Sequence, residues 1–277
     1  SNYIALLIHQ LKNTVGSHFD VAVQAMGDQT RTRYDRDFYT PLFRRNQVIA
    51  PTRTAEVESA TKTPLIYRIT FAEGKSANLV LFDTAGEDMQ SLAVMTTETR
   101  YILHADAIIF LLDPLQIDTV RQLRTDAALP PPDPGAEPEY IVGRLRELYE
   151  QHFHLRNDQK IAKPVAFTLS KIDMLYPLLD ASSGLFHTGE HFGYLNTIDL
   201  QSIHTEITAC LQSWMGHRFD MLVRTNFANY QYFGVSSFGR APQGEPDGPQ
   251  TINSITPIRV EDPIMWIFHQ FGLIKAR

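Results

Sequence analysis

Three short stretches carry side chains whose types and spacing could do chemistry. In Asn78 to Asp88, "NLVLFDTAGED", four apolar residues run into Asp83, two small residues and Gly86. A carboxylate at a strand end is a hard oxygen ligand of the kind Mg²⁺ takes, usually through water. Gly86 has no Cβ, so its N–H can approach a phosphate oxygen closely. In "TLSKIDML", Ser170, Lys171 and Asp173 follow a second apolar run. An aspartate there could accept hydrogen bonds from the N1–H and exocyclic amine of guanine, a donor pair that adenine does not present, while the lysine stem covers the base. In "FGVSSFG", Ser236 and Ser237 follow a third run, where a backbone N–H could meet the guanine carbonyl oxygen. Each stretch alone also reads as an ordinary turn or helix cap, because Asp, Ser and Gly are common turn residues.

The elements needed to position these groups are legible in the apolar pattern. Ile4, Leu7, Ile8, Leu11 and Val15 recur at helical spacing, so the chain opens on an amphipathic helix. "FDVAVQAM" (19–26) reads as a strand, and residues 30–48 read as helical in part. "LIYRITF" and "ANLVLFD", joined by "AEGKS", read as an antiparallel hairpin. "ADAIIFLLDP" and "KPVAFTLS" are continuous apolar runs of the kind buried on both faces of a parallel sheet. Helical patterns follow in "YIVGRLRELYEQHFHL", in 197–215, where Ile203, Ile207, Leu211 and Trp214 share a face, and in "VEDPIMWIFHQFGLI". "NYQYFGVSSFG" is a last strand. Buried strands alternating with helices predict an α/β fold: three layers, a mostly parallel sheet and helices on both faces. Residues 1–277 then form a single domain, with 125–139 and 240–250 as flexible, proline-rich loops. In such sheets ligands sit at the carboxyl ends of the strands, where all three stretches fall.

Composition narrows the function. The 31 acidic and 25 basic residues give a net charge of −6 over 277 residues, which argues against broad binding to nucleic acid or anionic membrane. No apolar run approaches the roughly 20 residues of a membrane span, and the N-terminus lacks the basic leading region of a signal peptide. One cysteine, Cys210, excludes an internal disulfide framework and suits the cytoplasm.

In this order, each at a strand end, the three stretches resemble the motifs of a P-loop GTPase, over almost the whole chain. Asp83 to Gly86 matches Asp-x-x-Gly. Ser170-Lys171-Ile172-Asp173 is similar to Asn/Thr-Lys-x-Asp, and Ser236-Ser237-Phe238 to Ser-Ala-x. The resemblance is nearest to bacterial double-GTPase domains of the translation-factor-related class. It implies a Ras-like G domain that binds GTP or GDP with Mg²⁺, hydrolyses GTP slowly and switches a protein effector. It assigns Asp83, Ser1 and a switch threonine to the metal, with Thr52 and Thr54 as candidates ahead of Thr61 and Thr63. Thr54 and Glu87 take the catalytic places, and Gly86, Ser170, Lys171, Asp173, Ser236 and Ser237 the nucleotide. The pattern departs from the family in three ways. The phosphate loop Gly-x-x-x-x-Gly-Lys-Ser/Thr and the first strand are missing, so the chain reads as a portion of a longer protein. Ser170 replaces Asn, and Glu87 stands where a glutamine orients the attacking water. These departures favour the alternative, a nucleotide-free scaffold or interaction module.

Other signals are set aside. "HTGEH" (His187, Glu190, His191) has the spacing of an inverted zinc-protease motif, but Gly184, Gly189 and Gly193 oppose the helix that would aim both imidazoles one way. His152 and His154 read as an exposed helix end. Cys210 reads as packed, and Asp113 as a strand-terminal cap.

Overall fold

A computed structural model describes residues 1–50, 63–83, 101–125, 129, 131–133, 136–244 and 250–277. The helices, in chain order, are α1 (Asn2–Gln10), α2 (Gly16–Phe19), α3 (Gly27–Arg33), α4 (Tyr101–His104), α5 (Asp118–Leu123), α6 (Pro138–Phe153), α7 (Thr197–Met215), α8 (His217–Asn226) and α9 (Asp262–Gln270). Wider π-helical turns continue α1 over Leu11–Val15 and α3 over Tyr34–Arg44. The strands are β1 (Val21–Ala25), β2 (Leu65–Phe71), β3 (Ser76–Leu81), β4 (Ile108–Leu112), β5 (Val165–Leu169) and β6 (Tyr230–Gly234). None of the described helices is long and apolar enough to cross a membrane.

The chain is mixed α/β, as expected, but the single, mostly parallel sheet is corrected to two sheets of three strands. β1, β2 and β3 form an antiparallel sheet, in which Val21 faces Phe71 and Leu65 faces Leu81. β4, β5 and β6 form a parallel one, in which Phe110, Phe167 and Tyr232 share a level. Connection length is the physical reason. The short turn between β2 and β3 can only reverse the chain, whereas the helical crossovers from β4 to β5 and from β5 to β6 return it to run the same way. Among the described residues no strand links the two sheets, and no Ras-like G domain is shown.

Side-chain alternation decides which surface each sheet buries. β2 puts Leu65, Tyr67, Ile69 and Phe71 on one face, and these pack with α1, the π-helical turn at Phe38 and Leu42, and α9 in a first core. β5 is buried at all five positions. Ala166 joins the first core, with Phe233 of β6. Val165, Phe167 and Leu169 face a second core built with Val142, Leu145 and Leu148 of α6, Ile203, Ile207 and Leu211 of α7, and Phe219 and Val223 of α8. The central strand β5 is therefore covered on both sides, which is what its unbroken apolar run requires, while Leu111 of β4 is exposed. Two segments read as loops carry more structure than expected. Proline pre-sets the helical φ and needs no N–H at a first turn, so α6 already begins at Pro138. A two-way backbone bridge joins Gln243 to Thr251.

Candidate functional site

The carboxyl ends of the parallel strands do gather polar side chains. β4 delivers Asp113, whose Oδ1 accepts from the Leu115 N–H 3.0 Å away and caps the short turn at Pro114–Gln116. β5 delivers Ser170, whose Oγ donates to the Leu112 carbonyl at 3.1 Å, and then Lys171 and Asp173. β6 delivers Ser236, which donates to Asp173 Oδ1 at 2.6 Å and accepts the Gly239 N–H at 2.8 Å. Gly239 is required there. Its φ is +73°, and a Cβ would stand 2.4 Å from the Thr256 carbonyl oxygen. Ser237 is half-buried beside this turn.

Each charge on this rim has a partner in the chain. Lys171, in a left-handed conformation with φ +51°, reaches Asp113 Oδ2 at 2.8 Å. Burial raises the Asp173 carboxyl above the usual aspartate range, against the pull of the Ser236 hydroxyl and, more weakly, of Lys171 and Arg124. The stretches around Lys171 and Ser236 are thus brought together. Asp83 stands in a second cluster just past β3, where the Ser1 hydroxyl donates to Oδ2 at 2.6 Å and the Ser1 amino nitrogen lies 3.0 Å from Oδ1. Gly86, Glu87, Thr52, Thr54 and Thr61 fall outside the described residues. Thr63 is described, and its carbonyl accepts from the Arg33 guanidinium.

Of the residues set aside, His187 and Glu190 lie on an irregular segment, as the glycines required. Cys210 is half-buried on α7, and burial pushes its thiol up to about 11, so it is a packed thiol with little thiolate character.

A buried polar cluster among the described residues was not visible as a motif. Arg259, 2% exposed, forks onto Asp199 of α7 (Nη1 to Oδ2 and Nη2 to Oδ1, both 2.7 Å) and bonds Asp262 Oδ2 at 2.8 Å. Its Nε also points at the Gly184 carbonyl, 3.4 Å away. His191 closes the other side of Asp262, with Nε2 3.1 Å from Oδ1, while its Nδ1 accepts the Asn196 N–H at 3.2 Å. A neutral ring protonated on Nε2 satisfies both bonds. His191, Asp199 and Asp262 offer ligand atoms within 4.8 Å of one another, the geometry of a cation site. The guanidinium already supplies the positive charge there, so we read this cluster as a structural hub. The one available signal was "RVEDP", three charged residues directly before an apolar helix.

A mixed α/β fold with a paired polar rim and a buried ionic hub defines a structural class. No family model matches the chain, and no solved structure matches it. The chain is similar to a protein of Mycolicibacterium smegmatis (strain ATCC 700084 / mc(2)155) named as an ESX-1 scaffolding and assembly protein, SaeC. The two are 28% identical over 291 aligned positions, covering 99% of this chain and 72% of that protein. This relative overturns the expectation of a P-loop GTPase switch. The likeness runs end to end through the three strand-end stretches, and it leads to a scaffolding protein. The rim offers a physical reason for the misreading: short polar motifs at strand ends also serve to cap and tie turns.

Proposed function

We propose that this chain is a scaffolding and assembly module of an ESX-1-type bacterial apparatus, a protein whose partners are other proteins. The observation that carries this reading is the likeness to SaeC over 99% of the chain, since similarity of that extent covers both sheets and both cores. The rim supports it as well. Lys171 is tied to Asp113 and Ser236 to Asp173, which suits a platform held in one shape. A net charge of −6 favours protein partners over nucleic acid. The unpaired Cys210 suits a reducing compartment, and we place the module in the cytoplasm.

The test has a genetic and a physical arm. Deleting the gene should leave the ESX-1-type apparatus incomplete, seen as a smaller complex on native gels, and the wild-type gene should restore it. The purified chain should bind at least two purified components of the apparatus together, read by analytical ultracentrifugation. Full-sized assembly in the deletion strain, with no binding to any component, would sink the reading.

A further inference from the structure

Each sheet ends in a strand with an open edge, β3 in one and β4 in the other. Backbone direction alternates along a strand, so hydrogen bonds made on one side fix which groups point to the other. In β4, the Ile108 N–H donates to the Pro164 carbonyl at 3.0 Å and the Leu112 carbonyl accepts the Ser170 N–H at 2.8 Å, both toward β5. Ile109 and Leu111 therefore turn their N–H and C=O groups away from β5. In β3, the Phe71 N–H donates to the Lys75 carbonyl at 2.9 Å, and the register carries that bonding on to Ala77, Leu79 and Leu81. Asn78 and Val80 point their backbone groups outward. Among the described residues nothing pairs with either outward edge.

Both edges are held to one core. Ala77, Leu79 and Leu81 of β3 and Ile109 of β4 pack against the first core. α9 ties that core to both sheets, with Phe268 5.3 Å from Phe71 of β2 and Trp266 5.8 Å from Phe233 of β6 between ring centres. Phe82, directly after β3, stacks at 3.8 Å on Tyr101 of α4, the helix that leads into β4. Neither edge carries the charges or prolines that normally blunt one, since β3 reads SANLVL and β4 reads IIFLL. Val80 is 46% and Leu111 42% exposed, and both stand at outward-pointing positions. Side chains alternate between faces, so Leu111 shares the face of Ile109, while Val80 lies on the face opposite Leu79 and Leu81.

We propose that the open edges of β3 and β4 form a slot for one extended strand of a protein partner, which would join the two sheets. The inference rests on the scaffold reading above and specifies how the partner is held. Open N–H and C=O groups on both sides call for a backbone that bonds to either side. An extended strand offers that, and a helix, whose backbone bonds are used internally, does not. Uncovered apolar side chains on both faces call for an uninterrupted apolar run, since an alternating one covers a single face. β3 has six residues and β4 five, so a run of about five matches them.

The test is amide exchange on the full chain, with a synthetic peptide as probe: Val-Ile-Val-Leu-Val flanked by lysine pairs. In the chain alone, Val80, Ile109 and Leu111 should exchange on the order of tenfold faster than their inward neighbours Leu79 and Phe110, and the peptide should remove that difference. A peptide alternating valine with serine should not. Outward amides already as slow as the inward ones, or unmoved by the apolar peptide, would overturn the slot. Leu111→Lys and Val80→Lys place a charge on each edge and should weaken binding of the purified apparatus components on the order of tenfold, because a charge resists burial. Leu111→Met should bind as wild type does. Undiminished binding by both lysine variants would overturn the slot and leave the scaffold reading intact. A wild-type chain that seats the peptide and binds no component would remove the scaffold reading and not the slot. Should a lysine variant fail to fold, the exchange measurement on the wild-type chain decides.

Discussion

The rim and the hub are made of the same residue types and behave as opposites. At the rim, Lys171 and Asp113 are half and about one-quarter exposed, and their pair bridges two strand ends in contact with water. In the hub, Arg259 and Asp262 are 2% and 1% exposed, and their pair is sealed among helices. Water screens the first pair and competes for its hydrogen bonds, so it is worth a fraction of a kcal/mol. The second pair has given up its hydration, so each charge depends on the other. Sequence motifs pointed to the rim because it follows strands. Energetics point to the hub because its Arg259–Asp262 pair is dry.

Breaking the hub should therefore give the largest effect. Arg259→Ala leaves Asp262 buried without its counter-charge and Asp199 without its fork, and removing one partner of such a pair costs about 3–5 kcal/mol. Urea unfolding should show a midpoint far below wild type at unchanged slope. A loss under about 1 kcal/mol would mean that water reaches the hub and that the contrast with the rim is false. Gly189→Ala presses on the same cluster by volume alone, since its Cβ would fall 2.7 Å from His191 Nε2. The expected cost is about 1–3 kcal/mol, the range for overpacking. The same unfolding curve reads it, with Gly189→Ser expected to be no better.

The inner end of the rim lies between these extremes. Ser236 is 1% exposed and serves two bonds, donating to Asp173 and accepting from Gly239. Ser236→Ala strands a buried carboxyl and a backbone N–H, for a loss of about 1–3 kcal/mol. A double cycle with Asp173→Asn should show strong coupling between the two positions. Independent effects would mean that the turn after β6 is held by other contacts.

Much of the scaffold was legible before any coordinates. The unbroken apolar run of β5 announced a strand buried on both faces, whereas that of β4 announced the strand but not its exposed Leu111, and the Ile203, Ile207, Leu211, Trp214 stripe announced α7. Strand pairing across long separations was not legible. Nothing local in "FDVAVQAM" says that it pairs antiparallel with β2 and stays apart from the parallel strands. α8, with its Phe219 and Val223 anchors, escaped because its ten residues carry too short a period to stand out. The hub escaped for a different reason. Asp199, His191 and Arg259 are separated by up to 68 positions, and no spacing rule links a buried arginine to its carboxylates. The rim was found, and it suggested a GTPase, because strand-end residue types are shared by ligand sites and by turns.

The smallest effect sharpens the comparison from the rim's outer end. Lys171 contributes one ion pair at 50% side-chain exposure, and it spends backbone energy to hold φ at +51°. Lys171→Ala removes the pair and keeps the backbone demand, so a loss of about 0.5–1 kcal/mol is expected. Lys171→Gly removes the same pair but adopts the left-handed conformation without a Cβ penalty, at a cost in unfolded-chain freedom. The two terms nearly offset each other, and this variant should unfold within about 0.5 kcal/mol of wild type. Both losses should shrink in high salt, because exposed charges are screened. The loss in Arg259→Ala should shrink far less, because Asp262 is sealed, although Asp199 keeps about one-quarter exposure. If salt moved the two sites alike, the rim and the hub would be one kind of structure, and the distinction between screened and sealed charge would fail.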